Sequence, residues 1–382
     1  MGLGFVVRGR LKHCRAGCVS PVTASEKLCK LVDMRNMLKS QLANGFALLV
    51  CLCVSPCPTG AQHSETHIVP VTVLTMDGKP VTNLQPQNVR VHGRDVQVNR
   101  FSLDTSPRRI VLLIDISGGM GISNGRVNLL QAAVHTAGLF LDRVPSVDWL
   151  SVHVFAEKEK EVVPLTRDRG VIHTAIRNLP EPGTEETKKD YGARTDLQNA
   201  LNSILTVLSE HPQFGDAIVV FSDGRFPPRS DRSDILNYYD QPDYLLQVTP
   251  QLGTLGVRVF FSLAGNVEGS PPLHGIELFM GATGGESFEL HDSGLLFHSS
   301  ISPHAPYDRP KVPIYRSDSL EQRAVALSVA IQDTYRLQLE FGRPLEKPTR
   351  LHLDLVDERG KALHDVAVLS QAFVYPETKS QP

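Results

Sequence analysis

Arg109-Ile-Val-Leu-Leu-Ile-Asp115-Ile-Ser117-Gly-Gly119-Met-Gly121 is the stretch from which the fold can be read. Ile110 to Ile114 is a short, unbroken apolar run. Such a run suits a strand buried on both faces, as in a parallel sheet covered by helices. It stops at a carboxylate and small residues. Val127, Leu130, Val134, Ala137 and Leu141 then recur at the three- and four-residue spacing of an amphipathic helix. The unit repeats downstream. Trp149–Phe155 and Val162–Leu165 read as strands, and Asp168–Leu179 as a helix. Leu197, Ala200, Leu201, Ile204, Leu205 and Leu208 form one helical stripe. Asp216–Ser222 is a second buried strand, closed by Asp223-Gly224. Val257–Leu263 is a third, Ile276–Thr283 a helix and Ser287–Leu290 an edge strand. Strands alternating with helices predict a doubly wound, mostly parallel α/β sheet over residues 107–298.

Two flanks surround this domain. Residues 62–106 carry Val69, Val71 and Val73 in alternation, a turn at Asp77-Gly78, and strands at Asn88–Gly93 and Val96–Leu103. Residues 299–316 hold Pro303, Pro306, Pro310 and Pro313 and read as a linker. Residues 317–378 give a helix at Leu320–Ile331 and strands at Thr334–Phe341, Thr349–Val356 and Ala367–Val374. Each flank alone is marginal, since short chains bury too little surface to offset chain entropy. Joined, they have the size of one small β-sandwich into which the α/β domain is inserted. Two separate small units packed on the α/β core are the alternative.

The 382 residues are 41% hydrophobic and 21% charged, an ordinary globular mix. The net charge of -2 conceals a split. Residues 1–61 hold eight Lys/Arg against two Asp/Glu, leaving 31 against 39 for the rest. An acidic body argues against nucleic-acid binding, which needs clustered positive charge. All six cysteines (Cys14, Cys18, Cys29, Cys51, Cys53 and Cys57) fall in this leader. A body without cysteine has neither thiol catalysis nor cysteine-ligated zinc. Lys39, the apolar stretch Gly45–Val54 and the small residues Thr59-Gly60-Ala61 follow the order of a signal peptide. Residues 1–61 therefore read as an over-long start, with Met37 the better initiator, plus a signal cleaved after Ala61. Lipidation at Cys51 or Cys57 is the rival, disfavoured by Val50 and Pro56 before them. No apolar run is long enough for a membrane-spanning helix.

Ligands of doubly wound sheets bind beyond the carboxyl ends of the strands. Asp115 and Ser117 fall there after the first strand. Thr195 opens a helix after the polar crossover Glu181–Arg194, and Asp223 ends a later strand. Two carboxylates and two hydroxyls are hard oxygen donors of the kind Mg²⁺ prefers.

With its Asp-x-Ser loop, distant threonine and Asp-Gly in this order, the chain resembles the von Willebrand factor type A domain family. Met120 and Val163-Pro164-Leu165-Thr166 match the family's usual runs, and the likeness covers roughly Arg109–Leu290. The layout, with Val71–Phe101 before the domain and Tyr335–Tyr375 after it, is similar to exported bacterial proteins with related domains. The resemblance implies a metal-ion-dependent adhesion site with Asp115, Ser117, Thr195 and Asp223 in the metal roles. It implies Mg²⁺, or Mn²⁺ or Ca²⁺, as the ion, and a protein partner whose acidic side chain completes the metal's shell. Gly119 stands where the family has a second serine, so one hydroxyl ligand is missing and the ion is weakly held or absent.

Arg194 and Arg225 flank the site in sequence. A guanidinium ~6 Å from a divalent ion repels it by up to about 5 kcal/mol at an effective dielectric of about 20. It can equally pair with Asp115 or Asp223 and stand in for the cation.

Other chemistry finds little support. Gly119-x-Gly121 lacks the third glycine of a dinucleotide loop, with Asn124 in its place. Ser117 is not in a Gly-x-Ser-x-Gly turn. His63-x-Glu65-x-His67 has the wrong order for a zinc helix. Tyr238, Tyr239 and Tyr244 suit either an interface or packing on the sheet, Trp149 suits the core, and Glu181–Arg194 reads as a solvated loop on the ligand face. The expected protein is non-enzymatic, exported to the periplasm or outside the cell, and binds a protein rather than a small-molecule substrate. A structural protein with a vestigial metal-free site, contacting partners through its β-sandwich, is the alternative.

Overall fold

The chain divides into two units, Met1–Ala61 and Gln62–Pro382. The computed structural model describes residues 64–75, 78–93, 95–121, 128–224, 247–263, 274–291, 294–296 and 319–376, all in the second unit. The leader, the proline-rich linker, Arg225, and the three tyrosines at 238, 239 and 244 lie outside the described residues.

The leading flank supplies β1 (Glu65–Thr75), β2 (Val89–His92) and β3 (Val96–Leu103). The α/β segment follows with β4 (Arg109–Asp115), α1 (Leu129–Leu141), β5 (Trp149–Phe155), β6 (Glu159–Thr166), α2 (Arg169–Arg177), α3 (Glu185–Tyr191), α4 (Leu197–Ser209) and β7 (Ala217–Ser222). It continues through α5 (Thr249–Leu255), β8 (Arg258–Leu263), α6 (His274–Thr283), β9 (Ser287–His291) and β10 (Gly294–Leu296). The trailing flank adds α7 (Leu320–Gln332), β11 (Thr334–Phe341), β12 (Thr349–Arg350), β13 (His352–Leu355), β14 (Val366–Ser370) and β15 (Phe373–Val374).

The large sheet has the order β10-β9-β8-β7-β4-β5-β6. Pairing is parallel from β9 to β5 and antiparallel at the two margins. All seven residues of β4 are buried, as its unbroken apolar run requires. Ile110, Leu112 and Ile114 pack with α1, α2 and α7, while Val111 and Leu113 pack with α4, α5 and α6. β10 lies outside β9, so Ser287–His291 is one strand in from the edge.

The two flanks interleave. In the four-stranded sheet β14-β1-β11-β3, β1 of the leading flank sits between β14 and β11 of the trailing one. Val69, Val71 and Val73 of β1 join Phe101, Tyr335, Leu337 and Leu339 in one core, closed by Val89, Leu355 and Val374 from the ribbons β2–β13 and β12–β15. Tyr335 stacks on Phe101 with centroids 4.4 Å apart. Its hydroxyl donates to the Val81 carbonyl at 2.8 Å and accepts from the Leu84 N–H at 3.0 Å, which pins the loop between β1 and β2.

Three further sequence expectations change. Glu185–Tyr191 is a helix, not loop, because Thr184 caps it by accepting the Thr187 N–H at 3.1 Å. Glu185 and Glu186 at its start and Lys188 and Lys189 at its end also complement its dipole. Trp149 is 38% exposed and not core. It opens β5, and the Arg167 guanidinium stacks 4.5 Å from its ring. Leu320–Gln332, read with the trailing β segment, packs through Ala324, Leu327 and Ile331 into the α/β core.

α7 is held there by buried arginines. The Arg258 guanidinium, fully enclosed, donates to the carbonyls of Ala330 and Ile331 at 3.0 Å and to the hydroxyls of Thr72 and Thr334 at 2.9 and 2.7 Å. Arg108 donates to the Gln332 carbonyl at 2.6 Å. These are the carbonyls a helix end leaves unpaired, where its dipole is negative. Burial, with Arg108 nearby, pulls the Arg258 guanidinium down to about 9, so it stays charged at neutral pH. Arg258→Ala is expected to cost about 3 kcal/mol in denaturant unfolding, because it removes four charge-assisted hydrogen bonds, although the Thr72 and Thr334 hydroxyls keep their bonds to the Ala330 and Ile331 carbonyls. Arg258→Lys, which keeps the charge but not the fork, should recover only part of that. A loss below 1 kcal/mol for the alanine variant would refute the role (about one ordinary hydrogen bond).

Candidate functional site

β4 and β7 run parallel, with Ile114 opposite Phe221 as the last pair of their register. The next residues along each strand, Asp115 and Ser222, therefore emerge side by side at the carboxyl edge. The Ser222 hydroxyl donates to Asp115 Oδ2 at 2.7 Å. Asp115 Oδ1 accepts the Ser117 N–H at 2.8 Å, so the carboxylate shapes the loop that follows it. Ser222 Oγ in turn accepts the Gly224 N–H at 3.1 Å, fixing the turn that carries Asp223. Ser222 was not singled out in the sequence; the signal was a hydroxyl residue at the strand end, one position before Asp-Gly.

The structure brings Asp115, Ser117 and Asp223 together. Asp115 is wholly enclosed, Ser117 and Asp223 nearly so. Burial, and then the neighbouring Asp223 carboxylate, push the Asp115 carboxyl up to about 7, against the lowering effect of bonds from Ser117 and Ser222. Gly119 lies directly beneath Asp223: a Cβ there would stand 2.3 Å from Asp223 Oδ2. Asp223 thus fills the space that a serine side chain at 119 would need. The missing hydroxyl and the inward position of Asp223 are one feature.

Thr195 reaches the same edge by another route. The neighbouring Asp196 N–H donates to the Ala156 carbonyl at 2.7 Å, just beyond β5, the strand paired with β4. Asp196 then caps α4 by accepting the Asn199 N–H at 3.0 Å. Thr195 is half-buried and Arg194 exposed. The crossover before them covers the Asp-x-Ser loop: a Cβ on Gly121 would meet the Pro182 carbonyl at 3.2 Å, and one on Gly183 the Gly118 Cα at 3.4 Å. Gly183 has φ +72°, which favours glycine at this close approach.

The donors offered by Asp115, Ser117, Asp223 and Thr195 are all oxygens. Burial first, and then the neighbouring Asp223 carboxylate, disfavour the ionised form of Asp115, and a cation would offset both. That donor set fits a hard divalent cation such as Mg²⁺, with water in the remaining positions.

Residues 110–225 match the family described as von Willebrand factor type A domain. No curated protein sequence matches the chain. Among solved structures, a von Willebrand factor type A protein from Catenulispora acidiphila is 14% identical, with a TM-score of 0.38, covering 82% of this chain and 75% of its own. An aerotolerance-related membrane protein from Bacteroides fragilis is 14% identical at a TM-score of 0.37, over 58% of this chain and 98% of its own. A conserved hypothetical protein, BatB, from Bacteroides thetaiotaomicron is 18% identical at a TM-score of 0.33, over 42% and 72%.

Between the ordinary carboxyl value of 3.8 and about 7, folded Asp115 keeps a proton that the unfolded chain releases. Its ionisation therefore opposes folding as pH rises through that window, by an amount on the order of 4 kcal/mol once complete. Asp115→Asn removes the charge and keeps the shape. In urea unfolding with chelator present, this variant should be more stable than wild type at pH 8 and the gap should close near pH 4. A gap of the same size at both pH values would sink the assignment.

Proposed function

With residues 110–225 a von Willebrand factor type A domain, we propose that this protein is a non-enzymatic interaction module that binds a protein partner at the Asp115 edge through a degenerate metal-ion-dependent adhesion site. The observation that carries this is the enclosed Asp115–Asp223 pair beside Ser117, two carboxylates held together where burial and mutual repulsion oppose ionisation and a cation would relieve both. Asp115, Ser117, Thr195 and Asp223 would hold Mg²⁺, Mn²⁺ or Ca²⁺, with a water in place of the hydroxyl that Gly119 lacks. When bound, such an ion supplies an open coordination position for an acidic side chain of the partner. The Pro182-Gly183 segment and α3 border the face and would contribute to partner selection.

Export is part of the proposal and rests on the leader, with its positive start, short apolar centre and small residues before Gln62. Among the described residues, no helix is long and apolar enough to cross a membrane.

A second reading is favoured by the position of Asp223 over Gly119. In it the site is vestigial and metal-free, with arginine such as Arg194 or Arg225 standing in for the ion, and the β unit makes the contacts. Calorimetric titration of Mg²⁺ into the full chain separates the two. Binding that disappears in Asp115→Ala and in Asp223→Ala supports a working site. No heat up to millimolar Mg²⁺ overturns the metal-dependent reading, and a gain of Mg²⁺ binding in Arg194→Ala or Arg225→Ala would support substitution by arginine.

A further inference from the structure

The ribbon formed by β2 and β13 has the sequences Val89-Arg-Val-His92 and His352-Leu-Asp-Leu355. Alternation places Val89, Val91, Leu353 and Leu355 on the β core. Arg90, His92, His352 and Asp354 consequently share the outer face. His92 stands directly opposite His352 in the register, and Asp354 lies diagonally from His92.

The side chains converge. The imidazole rings have centroids 5.0 Å apart at 79°. His92 Nε2 lies 2.6 Å from Asp354 Oδ2, and His352 Nε2 lies 3.7 Å from Asp354 Oδ1. One ligand atom from each of the three residues falls within 4.8 Å of the others. Among the described residues this is the one cluster of three His, Cys, Asp or Glu side chains with metal-ligand spacing.

We propose that His92, His352 and Asp354 bind a late first-row divalent transition metal, with Zn²⁺, Ni²⁺ and Cu²⁺ as the chemical class, independently of the Asp115 edge. Metal–nitrogen and metal–oxygen bonds near 2.0–2.2 Å put tetrahedral donors ~3.3 Å apart. The present separations close to that by rotating side chains that are exposed and carry little packing. Two imidazoles and one carboxylate select these ions over Mg²⁺ and Ca²⁺, which prefer oxygen. Three protein ligands leave a fourth position for water. Arg90, the register partner of Asp354, has its guanidinium against the Gly360 turn, where a Cβ would be 2.6 Å away, and Arg343, Lys347 and Arg350 line a cavity with His92.

The location gives the site a role. β2 precedes the inserted α/β domain and β13 follows it, with His92 and Asp354 262 positions apart. An ion here joins the two flanks across their shared ribbon. The unfolded chain does not assemble these ligands, so binding stabilises the folded protein by mass action.

The test is Zn²⁺ titration of the full chain against a chromophoric chelator, together with thermal unfolding, for wild type, His92→Ala, His352→Ala and Asp354→Asn. His92 and His352 are exposed and Asp354 is partly buried, and circular dichroism without metal checks the fold of each variant. Each variant should weaken one equivalent of Zn²⁺ at least 10-fold, since even outer-shell changes cost ~10–100-fold in metal affinity. Each should also lose the Zn²⁺-dependent rise in unfolding temperature. Asp115→Ala should keep both, so failure here is distinguishable from failure of the adhesion site. Unchanged affinity, stoichiometry and thermal shift in both histidine variants would overturn the site and assign any Zn²⁺ bound to other residues.

Discussion

The described structure depends on how the carboxyl end of α7 is satisfied. A helix that ends inside a protein leaves carbonyls that water cannot reach. Here Arg258 and Arg108 meet those of Ala330, Ile331 and Gln332. Arg258 also bonds Thr72 of β1 and Thr334 of β11, so one guanidinium joins the large sheet, the helix and both flanks. Its partners are all neutral oxygens, which makes the helix dipole a substantial part of what compensates the buried charge. Remove that compensation and the flank sheet loses the Arg258 bonds to Thr72 and Thr334, leaving the Ala372 N–H to Gly281 carbonyl bond at 2.8 Å as a directed attachment to the α/β domain. The apolar contacts of Leu74, Ala367 and Leu369 with the core would remain, but they do not fix orientation as directed bonds do.

The acidic edge follows a different economy. Nothing in the apolar core demands that Asp115 be enclosed beside Asp223; an asparagine would fold more comfortably. Burial of two like charges is a local conflict of the kind that accumulates where a protein binds something. The surrounding bonds are nevertheless built with care. Ser222, Ser117 and the Gly224 turn hold the Asp115 carboxylate and the segment leading to Asp223 in place. Gly119 then gives Asp223 the room to lean inward. Substitution at 119 and the position of 223 are coupled and have to be interpreted together.

How much of this was legible in the sequence depended on the range of the interactions. Ile110–Ile114 and Ala217–Phe221 announce buried parallel strands because every residue is apolar, and such strands place Asp115 and Asp223 at one edge. Size suggested that the flanks join, since neither could bury a core, but it left two separate small units open; the pairing of β1 between β14 and β11 depends on contacts far apart in the chain. The arginine junction was not. Arg258 stands in an apolar strand with no local sign of its partners, Thr72, Ala330, Ile331 and Thr334, which come from far along the chain. α3 was missed despite a visible signal, Thr184 followed by acids and then lysines, because a polar helix has no apolar stripe to detect. Trp149 was misplaced because composition, not position, suggested the core; it starts a strand, where Arg167 covers its ring.

The two charged regions also occupy opposite ends of the large sheet. Arg109 bonds Asp216 at the amino ends of β4 and β7, Arg108 lies one residue earlier, and Arg258 opens β8. Asp115 and Asp223 stand at the carboxyl ends of β4 and β7. At the amino ends Arg108 and Arg258 bond α7 and the flank strands while Arg109 bonds Asp216, and among the described residues the Pro182-Gly183 segment covers the loop at the acidic end. This division has a mechanical consequence. α7 runs between the two ends: its carboxyl end meets Arg258 and Arg108, and its Arg323 donates to the Ser262 hydroxyl and the Leu263 carbonyl at the carboxyl end of β8. Since β4 and β7 are packed on both faces, and close-packed interiors have low compressibility and transmit strain, binding at the acidic edge and changes at the flank junction are expected to be coupled.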